Sequence, residues 1–414
     1  MESTPKSLRL QIGIFGRTNV GKSSFLNMIT GQEVAVTSPL PGTTTDVVEK
    51  VMELLPVGPV VFLDTAGFDD VTELSEKRLT KTMKILDRAD IAILIVEPNI
   101  WTDFENQIIE KLNEKNINFF VAVNKIDETL PTDSFLTMLS NKVNQFVLCS
   151  STDKTQRENY VNQIKSRILN ILPDDYNLQV PLISDLISKN DVIILIVPID
   201  SQAPKGRLIL PQVQSIRDIL DNNAISVVVQ DTEYSSALKI LKDKPALVVC
   251  DSQVVHKMVA ETPPDVKCTT FSILFSRFKG DLNEEVRGAA ILKKLKHGDK
   301  ILIAEACTHH PLEDDIGRIK IPRWLRNYIG GDVQIDYSTG RDFPQNLSDY
   351  KVIIHCGSCM LTRKEKLMRI RNAIASNVPI TNYGITISMV QGVLERVLSP
   401  FEDALKIYRD EINS

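Results

Sequence analysis

The chain has 414 residues, 43% of them hydrophobic and 24% charged. At roughly 150 residues per domain, this allows two to four domains with buried cores. Lys and Arg total 48 against 53 Asp and Glu, a formal net charge of -5 that argues against gripping nucleic acid by bulk charge. The six cysteines are too few for a disulfide scaffold. No apolar run approaches the roughly 20 residues of a membrane span, and the N-terminus lacks a charged-then-apolar signal pattern. The expectation is a cytoplasmic protein with no membrane partner, in a reducing setting where grouped cysteines are metal ligands or redox groups.

Apolar strand-like runs alternate with helix-like stretches along the chain. In order, the strand candidates are Leu8–Phe15, Val60–Leu63, Ile91–Val96, Phe119–Val123 and Phe146–Leu148. Further along come Val192–Val197, Ser226–Val229, Ala246–Val249, Lys300–Ala304 and Val352–Ile354. Helical periodicity marks Lys22–Ile29, Gln107–Lys115, Leu210–Leu220, Ser235–Leu241 and Lys364–Ala375. This alternation predicts an α/β protein with mostly parallel sheets covered by helices. Two stretches rich in proline and acidic residues, Leu172–Pro181 and Ala260–Lys267, predict connections. The expected domains are 1–172, 180–262 and 268–414.

Gly16-Arg-Thr-Asn-Val-Gly-Lys-Ser23 fits G-x-x-x-x-G-K-[ST] between a strand and a helix. Its backbone N–H groups would surround phosphates at a helix N-terminus, with Lys22 reaching the β- and γ-phosphates and Ser23 ligating Mg²⁺. The loop residues expected to touch the nucleotide are Gly16, Asn19, Val20, Gly21, Lys22, Ser23 and Ser24. Asp64-Thr-Ala-Gly67 follows the second strand, so Asp64 can hold Mg²⁺ through water and the Gly67 N–H can sense the γ-phosphate. Asn124-Lys125-Ile-Asp127 follows Phe119–Val123. A carboxylate at Asp127 accepts from guanine N1–H and the N2 amine, a donor pair adenine lacks, so GTP is the expected nucleotide. Ser150-Ser151 would meet guanine O6. All four motifs lie at strand carboxyl ends, where open α/β sheets bind ligands.

This P-loop domain resembles the GTPase branch that includes Era and MnmE. Pro41–Asp46 resembles that branch's G-T-T-R-D switch, which implies Thr44 as a second Mg²⁺ ligand; the arginine of the pattern is Thr45 here. Asn19 stands where potassium-activated members carry an asparagine that ligates K⁺. Phe68 follows Gly67 where Ras-like enzymes place a water-orienting glutamine. The expected catalytic set is therefore Lys22, Asn19, Thr44 and Gly67, with Pro39–Asp46 and Gly67–Glu76 as switches.

In the last third, Cys307-Thr-His309-His310 and His355-Cys356-Gly-Ser-Cys359 form C-x-H-x(45)-H-C-x-x-C. Both clusters follow strands and can converge at one sheet edge. Three thiolates there suit a soft metal or an iron–sulfur cluster, with a Cys₃His zinc site and a redox dithiol as alternatives. Glu305, on the same strand face as Cys307, joins His309 as a candidate fourth ligand. Cys149, Cys250 and Cys268 are scattered and expected to be buried and inert.

The middle segment shows no phosphate loop and no nucleophile–base set. A helix face of Leu210, Val213, Ile216 and Ile219 is the candidate partner surface.

Taken whole, the chain resembles the HydF family, including Pro204–Gln214 in the middle segment. The resemblance implies a GTPase and scaffold that matures [FeFe]-hydrogenase. It implies a [4Fe–4S] cluster on Cys307, Cys356 and Cys359, with an exchangeable fourth position facing a transient diiron precursor. It also implies a homodimer, with higher assembly open, and radical-SAM maturases and apo-[FeFe]-hydrogenase as partners. The competing reading is an Era/MnmE-like GTPase acting in RNA modification or ribosome assembly, with structural zinc.

Overall fold

The computed structural model describes residues 6–31, 48–64, 82–83, 85–173, 180–199, 206, 208–306, 315–340, 343–344 and 346–413. The chain divides into two compact units, Met1–Gln179 and Val180–Ser414.

The first unit holds a six-stranded sheet of β1 (Leu10–Phe15), β2 (Val48–Leu54), β3 (Gly58–Asp64), β4 (Ile91–Val96), β5 (Asn118–Val123) and β6 (Phe146–Leu148). The spatial order is β2-β3-β1-β4-β5-β6, with β2 antiparallel to β3 and the other pairs parallel. β1 and β4 are apolar at every or nearly every position because both faces of the sheet are covered. Their side chains sort with the two-residue period of a strand. Ile91, Ile93 and Ile95 join Leu10, Ile12, Phe25, Leu26 and Ile164 in one core layer. Ala92, Leu94 and Val96 face the other way, against Ile108, Leu112 and Leu139. Four helices with fully described bounds are α1 (Lys22–Thr30), α2 (Asp103–Glu114), α3 (Asp133–Lys142) and α4 (Arg157–Asn170). Thr102 and Glu105 close a capping box on α2, which satisfies backbone N–H groups at its N-terminus.

The second unit contains two four-stranded sheets, parallel throughout. The first is β7 (Val192–Ile196), β8 (Ile225–Val229), β9 (Leu247–Cys250) and β10 (Lys267–Thr270), in the order β10-β9-β7-β8. The other is β11 (Lys300–Ala304), β12 (Gln334–Ser338), β13 (Val352–His355) and β14 (Ile380–Asn382), in the order β12-β11-β13-β14. Its helices are α5 (Leu210–Asp221), α6 (Tyr234–Ile240), α7 (Val255–Glu261), α8 (Phe271–Lys279), α9 (Leu282–Ala290), α10 (Ile321–Ile329), α11 (Arg363–Ala375), α12 (Tyr383–Val390), α13 (Leu394–Val397) and α14 (Glu402–Asn413). Ile193, Leu247, Phe275, Val286, Ile301, Val352 and Ile385 belong to one continuous core, so the two sheets share a hydrophobic centre. Leu302, Ala304, Ile353 and Ile370 form a smaller core on the opposite face of the last sheet.

The α/β architecture with mostly parallel sheets is the one expected. The expected connection Ala260–Lys267 ends in a strand. β10 lies at and beyond it yet pairs with β9, so the first sheet of this unit runs on to Thr270 and shares its core with the elements after it. The expected apolar face of Leu210, Val213, Ile216 and Ile219 is split. Ile219 is buried and Ile216 packs on the unit's core, while Val213 is exposed. Among the described residues, no helix is long and apolar enough to cross a membrane.

Gly288, inside α9, lies so close to β14 that a Cβ there would overlap the Ile380 carbonyl. Exchanging an interior helical glycine for alanine ordinarily stabilises. Here Gly288→Ala is predicted to destabilise the second unit by about 1–3 kcal/mol through forced separation of helix and strand. A thermal melt reads the sign, and a gain in stability contradicts this packing.

Candidate functional site

The P-loop leaves the buried end of β1. Gly16 carries φ 154°, and a side chain there would strike the Ile95 carbonyl and Val20. Gly21 carries φ 91° as the residue before α1, and a Cβ would meet the Asn124 side-chain amide. Both glycines are thus required by close approach as well as by backbone angle. Asn19 also sits in the left-handed region, at φ 66°. Its side chain is exposed, as are those of Ser23 and Ser24, whereas Val20 is buried. Lys22 Nζ donates to the carbonyls of Gly16 (3.1 Å) and Arg17 (2.9 Å), which places the ammonium within the curl of the loop.

Asn124 ties three loops together. Its Nδ2 donates to the Val20 carbonyl at 2.9 Å. Its Oδ1 accepts from the Ser151 N–H at 3.0 Å and hydroxyl at 2.8 Å. The residue expected merely to open the guanine motif is therefore the buried tie between P-loop and base-side loops. Asp127 is exposed, and Thr152 donates to it at 2.8 Å. The hydroxyls of Ser150 and Thr152 hold its carboxyl below the ordinary aspartate range, so it is an acceptor at neutral pH. Lys125 Nζ meets Glu97 at 2.7 Å. Arg17 is engaged by Glu105 at 2.8 Å and Glu97 at 3.5 Å, an ion-pair cluster under the P-loop that no sequence motif signalled. Asp64 is buried at the end of β3. Thr44, Gly67 and both switch segments lie outside the described residues.

In the second unit, β11 and β13 pair with Ala304 opposite His355. Their carboxyl ends therefore open side by side. The Ala306 N–H donates to Cys356 Sγ at 3.1 Å, so the residue that precedes Cys307 touches the C-x-x-C turn. Cys307, His309 and His310 themselves lie outside the described residues. Cys356 and Cys359 are both half-buried, and Ser358 between them takes φ 55°. Burial pushes the Cys356 thiol up, while N–H groups of Ser358 and Ala306 pull it back down. Burial likewise raises Cys359. Amide groups turned on a sulfur, in a tight turn at a sheet edge, suit a thiolate-held metal or cluster. Among the described residues no three His, Cys, Asp or Glu side chains form a metal-ligand group.

Two histidine and carboxylate positions resolve further. His355 is buried, with Arg369 Nη1 on its Nε2 at 3.0 Å. A guanidinium only donates, so Nε2 accepts and the proton is on Nδ1, facing Ser358 Oγ at 2.8 Å. Ser358 in turn donates to the Cys356 carbonyl at 3.0 Å. Burial, aided by Arg369, holds His355 well below the usual histidine pKa, so it braces the turn as a neutral ring. Glu305 is buried and paired with Arg318 at 3.0 Å. Arg369 and Arg318 were not legible as site residues, because only the fold brings them to His355 and Glu305.

Comparison with known proteins is decided by the second unit. Residues 182–280 match the family model described as the hydrogen maturase F dimerization domain, and residues 283–400 match the hydrogen maturase F tetramerization domain. The chain belongs to the HydF family. Residues 11–125 match a further model, described as a 50S ribosome-binding GTPase, so this HydF-family chain carries a nucleotide-binding GTPase domain ahead of two oligomerisation modules. Among curated relatives, the tRNA modification GTPase MnmE of Prochlorococcus marinus (strain NATL1A) is 39% identical over 120 residues, which is 28% of this chain and 25% of that protein. GTPase Der of Wolinella succinogenes is 35% identical over 131 residues, 31% of this chain and 27% of that protein. The chain thus spans about a quarter of the length of the curated relatives it matches. A solved structure of a probable GTP-binding protein engB is 23% identical, covering 39% of this chain and 98% of that one at TM-score 0.30.

Asn124→Ala removes three hydrogen bonds joining the P-loop to the base-side loops, and is predicted to weaken GDP and GTP binding about tenfold or more. Equilibrium titration with a fluorescent guanine nucleotide measures this. The scattered thiols supply a separate check. Burial pushes Cys149 up to about 12 and Cys268 up to about 11, and holds Cys250 well above the free-thiol value. Alkylation of the native metal-free chain at pH 8 should leave these three unmodified, with labelling only after denaturation. Mass spectrometry of the labelled peptides reads the result.

Proposed function

We propose that this HydF-family chain is a GTPase scaffold for [FeFe]-hydrogenase maturation, which carries a diiron precursor and hands it to the apo-hydrogenase. The single observation that carries the reading is the meeting of two chain segments at Cys356, where the residue before Cys307 bonds to the thiol sulfur. That contact, in a chain with both hydrogen maturase F modules, favours one shared centre over separate buried thiols.

In the first unit, the P-loop N–H groups and Lys22 take the β- and γ-phosphates of GTP. Ser23 and Thr44 would hold Mg²⁺ directly and Asp64 through water, and Asn19 would hold K⁺. The Gly67 N–H would sense the γ-phosphate. Water attacks the γ-phosphorus in line, the bond to the β-phosphate oxygen breaks, and GDP and phosphate leave. Asp127 accepts from the guanine N1–H and N2 amine, and Ser150-Ser151 face O6.

In the second unit, Cys307, Cys356 and Cys359 would hold a [4Fe–4S] cluster. When bound, it supplies an iron with one exchangeable ligand position facing the diiron cargo. His309 and Glu305 are the candidates for that position, and Glu305 must first leave Arg318. His355 keeps the turn in shape by its two hydrogen-bonded ring nitrogens. The chain works as a homodimer or higher assembly in the cytoplasm, with radical-SAM maturases supplying the cargo.

Two experiments test the reading. Asp127→Asn replaces the acceptor of a guanine donor pair by an amide donor, so hydrolysis should shift from GTP toward XTP by more than about tenfold. Retained GTP preference would remove Asp127 from the base site. Anaerobically loaded protein should activate an apo-[FeFe]-hydrogenase, and the Cys356→Ser chain should not. Equal activation by both would overturn the scaffold assignment.

A further inference from the structure

Two lysines are buried around the C-x-x-C turn, and neither belongs to any motif. Lys279, the last residue of α8, is 1% exposed. Its Nζ donates to the carbonyls of Cys359 and Leu361, both at 3.1 Å. Lys366 on α11 is equally buried and pairs with Glu285 of α9 at 2.8 Å. Glu285 also receives the Ser276 hydroxyl of α8 at 2.5 Å and the amide of Asn382 at the end of β14. Gly280 has no side chain where the Lys366 stem passes, since a Cβ would press on its Cε. The end of α8, α9, α11 and β14 thus build a buried polar box against the turn. An apolar side chain would fill the Lys279 site at lower desolvation cost, so the ammonium calls for a role.

We propose that Lys279 is a positioning residue for the Cys356–Cys359 turn, and that its buried positive charge raises the reduction potential of the cluster bound there. It acts from α8, which leads directly out of β10, across 80 residues of sequence to the Cys359 carbonyl. By capping the Cys359 and Leu361 carbonyls it fixes the backbone that carries the second thiol of the pair. Burial draws Lys279 down to about 8, so it is a cation at neutral pH, and a cation close to a cluster stabilises the extra electron of the reduced state. The electrostatic half rests on the cluster assignment above; the backbone half does not.

Lys279→Met keeps the stem and removes both charge and donors, and its thermal melt reports whether the fold survives. In the metal-free chain, hydrogen exchange over 356–362 should quicken about tenfold, with the Leu361 N–H bonded to the Ser358 carbonyl as its most direct reporter. After anaerobic reconstitution, a potentiometric titration followed by EPR should give a more negative midpoint than wild type. Lys279→Gln is neutral but still donates, so it should retain part of the protection and also shift the midpoint negative. It carries the test if the methionine variant does not fold. Lys279→Arg should return the midpoint toward wild type. Unchanged exchange together with an unchanged midpoint at full iron content would overturn the proposal. A wild-type chain that takes up no iron would instead sink the cluster assignment, leaving exchange in the metal-free chain to decide the positioning role.

Discussion

Parallel strands pair in one direction only, so the loops leaving their carboxyl ends all open on the same edge of the sheet. In the second unit this constraint acts through β11 and β13. Their register sets Ala304 opposite His355, and two residues later the Ala306 N–H reaches the Cys356 sulfur. Two residues 50 positions apart are thereby brought into contact. The first unit obeys the same rule. β1, β3 and β5 deliver the P-loop, Asp64 and Asn124 to one edge, where the Asn124 amide locks P-loop to base-side loop. Each site depends on sheet register, which in turn depends on two-sided burial of the strands.

Burial also explains the polar groups that support the sites. A neutral, doubly bonded His355, the Glu285–Lys366 pair and the Lys279 ammonium all lie inside the second unit, where unpaired polar atoms would be costly. Their partners come from α8, α9, α11 and β14, elements distant in sequence. The turn carrying Cys356 and Cys359 is therefore held by Lys279, by Arg369 through His355, and by Ala306. In the first unit the Arg17, Glu97, Glu105 and Lys125 cluster performs a similar bracing under the P-loop, linking it to the capping box of α2.

Much of this was legible in the chain itself. Doubly covered strands announce themselves as continuous apolar runs, so β1, β4, β7, β11 and β13 could be read directly. The edge strand β12 could not: it reads Gln-Ile-Asp-Tyr-Ser and is half exposed, without the apolar run that marks an interior strand. β10 was hidden behind a proline-rich stretch that reads as a connection yet feeds directly into a strand. Phosphate and guanine motifs are legible because their chemistry demands fixed residues at short spacing. The roles of Lys279, Arg369 and Arg318 depend on tertiary contacts across 13 to 82 residues, and no local pattern encodes them. The candidate partner face on α5 is divided for a simpler reason: helical spacing cannot tell a face that meets a partner from one that covers its own sheet, and Ile219 does the latter while Val213 is exposed.

The function proposed for the second unit requires Cys356 and Cys359 to share one metal centre with the chain segment after β11. Anaerobic incubation with iron and sulfide, followed by iron counting, visible absorption and EPR of the reduced sample, tests it most directly. A shared centre gives a brown chain with about four irons and a reducible cluster signal, lost in Cys307→Ser, Cys356→Ser and Cys359→Ser alike. Tight Zn²⁺ binding with no iron uptake, or a cluster signal unaltered in Cys356→Ser, would contradict it.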